Sequence, residues 1–237
     1  MRLVYGSVIA VAFALCTSSL GAQAPAGQDG SVAIKDGGVF AKGWQGKIDA
    51  QEEKAGQVLN NARLTEKGGV LSVRTGPAVT YWNPANRAAG NYTVKATFTE
   101  SNYMGLNDHP HPYGIVIAGN DLGTENQSYL YCSAYGNGTF IVRGMGPAPF
   151  SAMATRKPEA NAAISKAAGK GSSVTQEIAM SVNGDNVTCS INGTVVGTYK
   201  KADLVAAGKL KATDGVYGIR FAHNTEATVT GLSMTKQ

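Results

Sequence analysis

Three Asn-Gly pairs punctuate this chain: Asn137-Gly138, Asn183-Gly184 and Asn192-Gly193. Asn and Gly reach positive φ at the lowest steric cost. A two-residue type I′ turn needs positive φ at both central positions, so each pair predicts a tight β-hairpin. The flanking sequences agree. SYLYCSAYG and TFIVRG enclose the first pair, and QEIAMSV, DNVTCSI and TVVGTY surround the other two.

The rest of the chain keeps the same rhythm. In NYTVKATFTE, Tyr92, Val94, Ala96 and Phe98 share one face and Thr93, Lys95, Thr97 and Thr99 the other, which is the period of a half-buried strand. YGIVIAG (113–119) is apolar on both sides and predicts a central strand covered on both faces. Two segments break the pattern. Pro158 to Ala168 is Ala-rich, opens on a proline and is followed by Gly169 and Gly171, which predicts a short helix; Ala202 to Ala207 predicts a helical turn. Roughly eleven strands at short spacing, with no strand–helix alternation and no internal repeat, predict an all-β fold. Its form is a two-sheet antiparallel jelly-roll sandwich with one or two short helices in loops.

The first residues read as a leader. Arg2 precedes an apolar run from Leu3 to Leu15, and Ala22-Gln23-Ala24 is a small-x-small cleavage site. The run is too short for a good transmembrane span. The expected organisation is a signal peptide over 1–24, a flexible lead-in over 25–38 and a single sandwich domain over 39–237, in a periplasmic or secreted protein without a stable membrane span. Cleavage after Ala24 leaves 213 of the 237 residues and takes the net charge from +5 to +4, since Arg2 is the leader's one charged residue. The basic residues are scattered, with Arg156-Lys157 and Lys200-Lys201 the longest runs, which argues against nucleic acid as a partner. Of three cysteines, Cys16 falls in the leader. Cys132 lies on the same strand face as Leu130 and Ala134, and Cys189 on the same face as Val187 and Ile191, so both point to the core. Export permits a bridge between them, and two separate buried thiols are the alternative.

The order of segments from Gly43-Trp44 to the last strand resembles the concanavalin A-like sandwich of 3-keto-disaccharide hydrolase-type domains. The similar pieces are the early Gly-Trp, GNYTVKATF, YGIVIAG, YLYCSAY, the IAMSVNGDNVTCSINGTVVGTY meander and GVYGIRFAHNTEATVTGLSM. The resemblance implies an exported domain tied to sugar chemistry. The sequence departs from the family at the cleft. Ile115 to Gly119 carries no polar or basic residue, Tyr131, Ser133 and Tyr135 stand where an amide and an acid are usual, and the closing segment reads Gly218-Ile219-Arg220-Phe221-Ala222-His223-Asn224.

Asp108-His109-Pro110-His111-Pro112-Tyr113 is the most unusual local sequence and holds two of the three histidines. Residues two apart in an extended chain face the same way, so His109 and His111 can converge; Asp108 and the distant His223 complete the candidate catalytic set. No cofactor is specified by the sequence, and a divalent metal at this loop is the one candidate. The resemblance implies chemistry on keto-sugars, for which a base and a Lewis acid suffice, and this loop can supply both. Ordinary glycoside hydrolysis needs paired carboxylates, and Glu100, Asp108, Asp121 and Glu125 are the acids available. For ligand binding, Tyr131 and Tyr135 form a same-face stripe with Tyr129, Arg143 sits among polar positions of the partner strand, Trp82 reads as a rim residue before Asn83-Pro84, and Tyr113 and Asn224 flank the histidines. Trp44 reads as core. The expectation is a carbohydrate-engaging domain, either a binding module or a metal-assisted glycoside hydrolase or lyase. The third reading is a cell-envelope interaction domain without a sugar site.

Overall fold

The computed structural model describes residues 30–237. The expected leader lies outside the described residues. Ser31–Gln237 forms one compact unit. Its strands are β1 (Gly38–Val39), β2 (Gln45–Ile48), β3 (Arg63–Lys67), β4 (Val70–Arg74), β5 (Val79–Ala88), β6 (Tyr92–Glu100), β7 (Tyr113–Asn120) and β8 (Ser128–Tyr135). They continue as β9 (Thr139–Met145), β10 (Pro149–Ser151), β11 (Glu159–Ala160), β12 (Val174–Asn183), β13 (Asn186–Ile191), β14 (Thr194–Lys200), β15 (Gly215–Phe221) and β16 (Glu226–Lys236). Two short helices, α1 (Ala50–Lys54) and α2 (Lys201–Leu204), sit in connections.

The strands form two sheets, one ordered β1-β3-β4-β16-β6-β12-β13-β14 and the other β10-β9-β8-β7-β15-β5-β2, with β11 also on β9. Every pairing is antiparallel except β1 with β3 at an edge. The two-sheet sandwich read from the alternation is the fold observed. The strands beyond the expected eleven include edge pieces of two or three residues, too short to show a period. β7 is central in its sheet and buried along Tyr113 to Gly119, as its two-sided apolar sequence predicts.

Only one of the three Asn-Gly pairs makes the expected turn. Ile191 pairs with Thr194 across Asn192-Gly193, and both turn residues have positive φ, 50° and 79°. At the second pair, Asn183 is itself paired with Asn186. The turn residues are therefore Gly184 (φ 55°) and Asp185, which is not in the positive region. Gly in the first central position is the mark of a type II′ turn. At the third, Tyr135 pairs with Thr139, leaving a three-residue loop that ends on Gly138 at φ 89°. The register of the flanking apolar residues outranks the dipeptide in choosing the turn.

The helix expected over 158–168 does not form. Glu159–Ala160 pairs with β9, and the following turns are held by side chains from the first sheet. Gln176 Nε2 donates to the Ser165 carbonyl at 2.8 Å while Gln176 Oε1 accepts from the Ser165 amide at 3.0 Å, and Asn192 Nδ2 donates to the Ala163 carbonyl at 2.8 Å. These bonds satisfy backbone groups that a helix would otherwise pair internally, and Ile164 packs into the core, so tertiary contacts override a weak Ala propensity. The helical turn expected over Ala202 to Ala207 is α2, which begins one residue earlier and ends at Leu204.

Between the sheets lies an aromatic centre. Phe98 of β6 stacks on Tyr113 of β7 at 5.6 Å, and Phe221 of β15 stands 6.0–6.1 Å from both. Cys132 and Cys189, both fully buried, form a disulfide that joins β8 of one sheet to β13 of the other, with Cα atoms 6.1 Å apart. The bridge closes a loop with a sequence separation of 57 residues, for which chain-entropy arguments give a stabilisation of about 4 kcal/mol. Replacing both cysteines by alanine is expected to lower the unfolding midpoint by roughly 8–16 °C with the sheet signature in circular dichroism retained. An unchanged midpoint would show that the bridge adds nothing to this sandwich.

Candidate functional site

Residues paired directly across an antiparallel ladder share a face. In the second sheet, Val79, Tyr81, Ile115, Leu130, Cys132, Ile219 and Phe221 face the core. The alternate residues therefore face away from it: Lys47 opposite Thr80, Thr80 opposite Arg220, Arg220 opposite Gly114, Gly114 opposite Ser133, and, two residues along, Trp82, Val116, Tyr131 and Arg143. Tyr129 lies on the same face as Tyr131, 6.2 Å from it between ring centroids.

At the middle of this outer face sits a charged pair. Arg220 donates from Nη1 to Asp49 Oδ1 at 2.8 Å and from Nη2 to Asp49 Oδ2 at 2.5 Å, a two-point contact that suits the planar guanidinium. Nη1 also reaches Thr80 Oγ1 (3.0 Å) and Tyr129 Oη (3.2 Å), and the guanidinium carbon lies 4.9 Å from the centre of the Tyr131 ring. Burial alone would lower the Arg220 pKa; the Asp49 carboxylate more than offsets it, helped by the Tyr129 and Tyr131 phenols, and holds the arginine above its ordinary value and charged. Burial raises the Tyr129 phenol, with Arg220 opposing. Sequence reading missed Asp49 and the role of Arg220. The signal available was a lone charge alternating with Ile219 and Phe221 in an otherwise apolar strand.

The expected ligand residues fall into three groups. Tyr131, Tyr135 and Arg143 share the outer face, as their period predicts. Tyr131 is 8 % exposed, whereas Tyr135 and Arg143 are half-buried and close enough that the Arg143 charge lowers, against a larger burial effect, a Tyr135 phenol pushed up to about 12. Trp82 is on that face too, but it is not a rim residue: it lies within β5 and is 4 % exposed, because the strand continues through Asn83 and Pro84 to Ala88. Its indole meets the loop after β7 near Gly123. Tyr113 is placed in the core against Phe98, away from any ligand face. Asn224 is a turn residue at φ 48°: its Oδ1 accepts from the Val32 amide at 2.9 Å and its carbonyl accepts from Asn107 Nδ2 at 2.8 Å. Trp44 packs, half-buried, against the core. The four carboxylates considered for hydrolysis have separate contacts: Lys211 for Asp121, Lys47 for Glu125, His109 for Asp108 and the Met104 amide for Glu100.

The candidate catalytic histidines do converge. His223 lies two residues past the end of β15, and the turn that carries it is pinned from three sides: Ala222 N donates to the Pro112 carbonyl, Asn224 N to the Gly76 carbonyl, and Thr75 Oγ1 to the Ala222 carbonyl. These bonds set the turn beside the 107–112 loop. One ring nitrogen from each of His109, His111 and His223 lies within 4.8 Å of the other two. His111 and His109 approach Nε2 to Nε2 at 2.8 Å, and the His111 and His223 rings meet edge to face at 4.2 Å. Glu52 of α1 reaches the same place, with Oε1 3.8 Å from His223 Nδ1 while also accepting from the Ala78 amide. Neutral imidazoles in this arrangement can hold a divalent metal or pass a proton.

Two substitutions test the electrostatics. Asp49→Ala leaves the buried Arg220 charge without its partner and is expected to cost about 3–5 kcal/mol in urea unfolding; a cost under 1 kcal/mol would mean that Arg220 relaxes to solvent. Glu100, 5 % exposed at the end of β6, is pushed up by burial to about 7, against an opposing bond from the Met104 amide. The folded state therefore keeps its proton where the unfolded chain has lost it. Stability is expected to fall as pH rises from about 4.5 to 7, and Glu100→Gln to remove that part of the slope. A pH profile that the glutamine variant leaves unchanged would contradict the shift.

No family model matches this chain, and no curated protein matches it. Solved structures do. The chain is similar to the carbohydrate-binding module CBM66 from Bacillus subtilis with a TM-score of 0.53 and 6 % identity, over 84 % of this chain and 99 % of that one. It is similar to a Bacillus subtilis protein of unknown function with a galectin-like fold with a TM-score of 0.56 and 14 % identity, over 82 % and 90 %. At such identity the likeness is one of fold: the chain is a two-sheet β-sandwich of the galectin-like and concanavalin-like kind.

Proposed function

We propose that this chain is an exported domain that engages carbohydrate on the outer face of its second sheet. The observation that carries the reading is the half-buried pair Tyr135 and Arg143 on that face, backed by the buried Tyr131 and Arg220. Aromatic rings offer flat apolar surface to the C–H faces of a sugar, and fixed planar donors match its paired hydroxyls. The half-buried pair Tyr135 and Arg143 provides the point of entry, with Tyr131 and the Asp49-held Arg220 behind it. The fold likeness to a module named for carbohydrate binding supports the same reading. The leader pattern of residues 1–24 supports export to the periplasm or beyond, as does a disulfide buried in the core. No helix among the described residues is long and apolar enough to cross a membrane.

The catalytic alternative, a metal-assisted hydrolase or lyase of the 3-keto-glycoside type, is favoured by the convergence of His109, His111 and His223 with Asp108 beside them.

Glycan-array screening followed by calorimetry tests the binding reading. Tyr135→Ala and Arg143→Ala are each expected to weaken the sugar about tenfold, a loss of 1.4 kcal/mol. Sugar binding that survives both, and Tyr131→Ala as well, would move the site elsewhere. Mass-spectrometric turnover of ordinary and 3-keto disaccharides, with and without chelator, decides between module and enzyme.

A further inference from the structure

The geometry of the three histidines carries an inference that stands apart from the sugar reading. His111 Nδ1 lies 2.5 Å from the His223 carbonyl oxygen and 3.1 Å from Asn107 Nδ2; the carbonyl is much the closer and only accepts, which favours the hydrogen on that nitrogen. His109 Nδ1 lies 2.7 Å from the Asp108 carboxylate, which fixes the same tautomer. With both rings neutral, each Nε2 is the lone-pair nitrogen, and the two Nε2 atoms face one another at 2.8 Å. Two acceptors at that distance repel unless a cation or a shared proton lies between them. The third imidazole, His223, closes the group, with a ligand atom within 4.8 Å of both others.

We propose that His109, His111 and His223 bind a divalent ion of the zinc class. Tetrahedral zinc with Zn–N bonds of about 2.0–2.1 Å sets its ligand nitrogens about 3.3 Å apart, a value that lies between the 2.8 Å contact and the 4.8 Å limit of the cluster. The surrounding groups are those a metal-bound imidazole needs. Asp108 holds His109 and a backbone carbonyl holds His111 at the ring nitrogen away from the centre, which orients each ring toward the centre. Glu52, 3.8 Å from His223 Nδ1, adds a second carboxylate near the charge. Nitrogen ligands select zinc, copper or nickel over magnesium and calcium, which take oxygen. His111 is 7 % exposed and forms the floor, while the His109 side chain is 46 % exposed. Three protein ligands with one accessible side leave a coordination position for water or a ligand oxygen. Pro110 and Pro112 reduce the freedom of the loop before any ion arrives.

Zinc chloride titrated by calorimetry into chelator-treated, purified protein tests this directly. The expected result is one equivalent bound, a raised melting temperature, and a tetrahedral cobalt(II) absorption band when cobalt replaces zinc. His109→Ala, at a partly exposed position that spares the fold, and His223→Ala are each expected to weaken zinc at least 100-fold, and Asp108→Asn about 10- to 100-fold. Folded wild-type protein that takes up neither zinc nor cobalt would overturn the proposal and leave a shared proton between His109 and His111. Wild-type affinity in the His109→Ala and His223→Ala variants would overturn it equally. Neither outcome depends on whether a sugar binds.

Discussion

The contact between Arg220 and Asp49 ties together the segments that carry the outer aromatic face and the histidine group. It is made on the face of the second sheet turned away from the core, and it joins β15 to the chain just past β2. Both groups are largely removed from water, so the pair is better understood as a device for placement than as a source of stability. Its consequences run in both directions along the chain. Asp49 leads into α1, where Glu52 takes the Ala78 amide and the Ser31 hydroxyl and stands near His223. Arg220 precedes by three residues the histidine that completes the cluster. The aromatic face and the histidine group thus lie on the two chain segments that this contact joins.

The second sheet is unusual in how little of it is plain surface. In an antiparallel sandwich one face of each sheet commonly meets solvent, with polar residues on it. Here β7 and β8 are buried nearly throughout, and the outward residues of β8 include Tyr129, Tyr131 and Ser133. The first sheet behaves ordinarily: β6 alternates buried Tyr92, Val94, Ala96 and Phe98 with more exposed threonines and a lysine. The outward aromatic side chains of this sheet are covered rather than exposed, so β7 and β8 are packed on both faces. The disulfide from β8 to β13 ties that sheet to the ordinary one at its core.

Where sequence reading and structure part, the cause is long-range contact. Trp82 looked like a strand-end residue because Asn83-Pro84 reads as a stop, yet the strand runs on to Ala88. Only Gln45 to Ile48 and the first half of β5 pair, so the proline falls where no partner on that side needs its hydrogen. Tyr113 looked like part of the histidine loop because it is adjacent in sequence, but it is the first residue of β7 and period two turns it inward onto Phe98. The expected helix from Pro158 gave way to bonds from Gln176 and Asn192, which lie more than ten residues away. In each case a local signal was correct about what the backbone can do and silent about which partners were present.

What the sequence determined by itself is the part governed by short-range physics. Period-two alternation specified the strands and which face of each meets the core, and so placed Cys132 and Cys189 inward, where they bond. The glycines and asparagines with positive φ placed the hairpins, although strand register chose the turn types. Two histidines two residues apart were legible as a converging pair for the same reason. The tertiary structure alone decided that His223 would join them and that Asp49 would meet Arg220, 171 residues away. Those contacts depend on the order in which distant strands pair, and strand order is set by the packing of the whole sandwich, for which no local pattern of residues is a code.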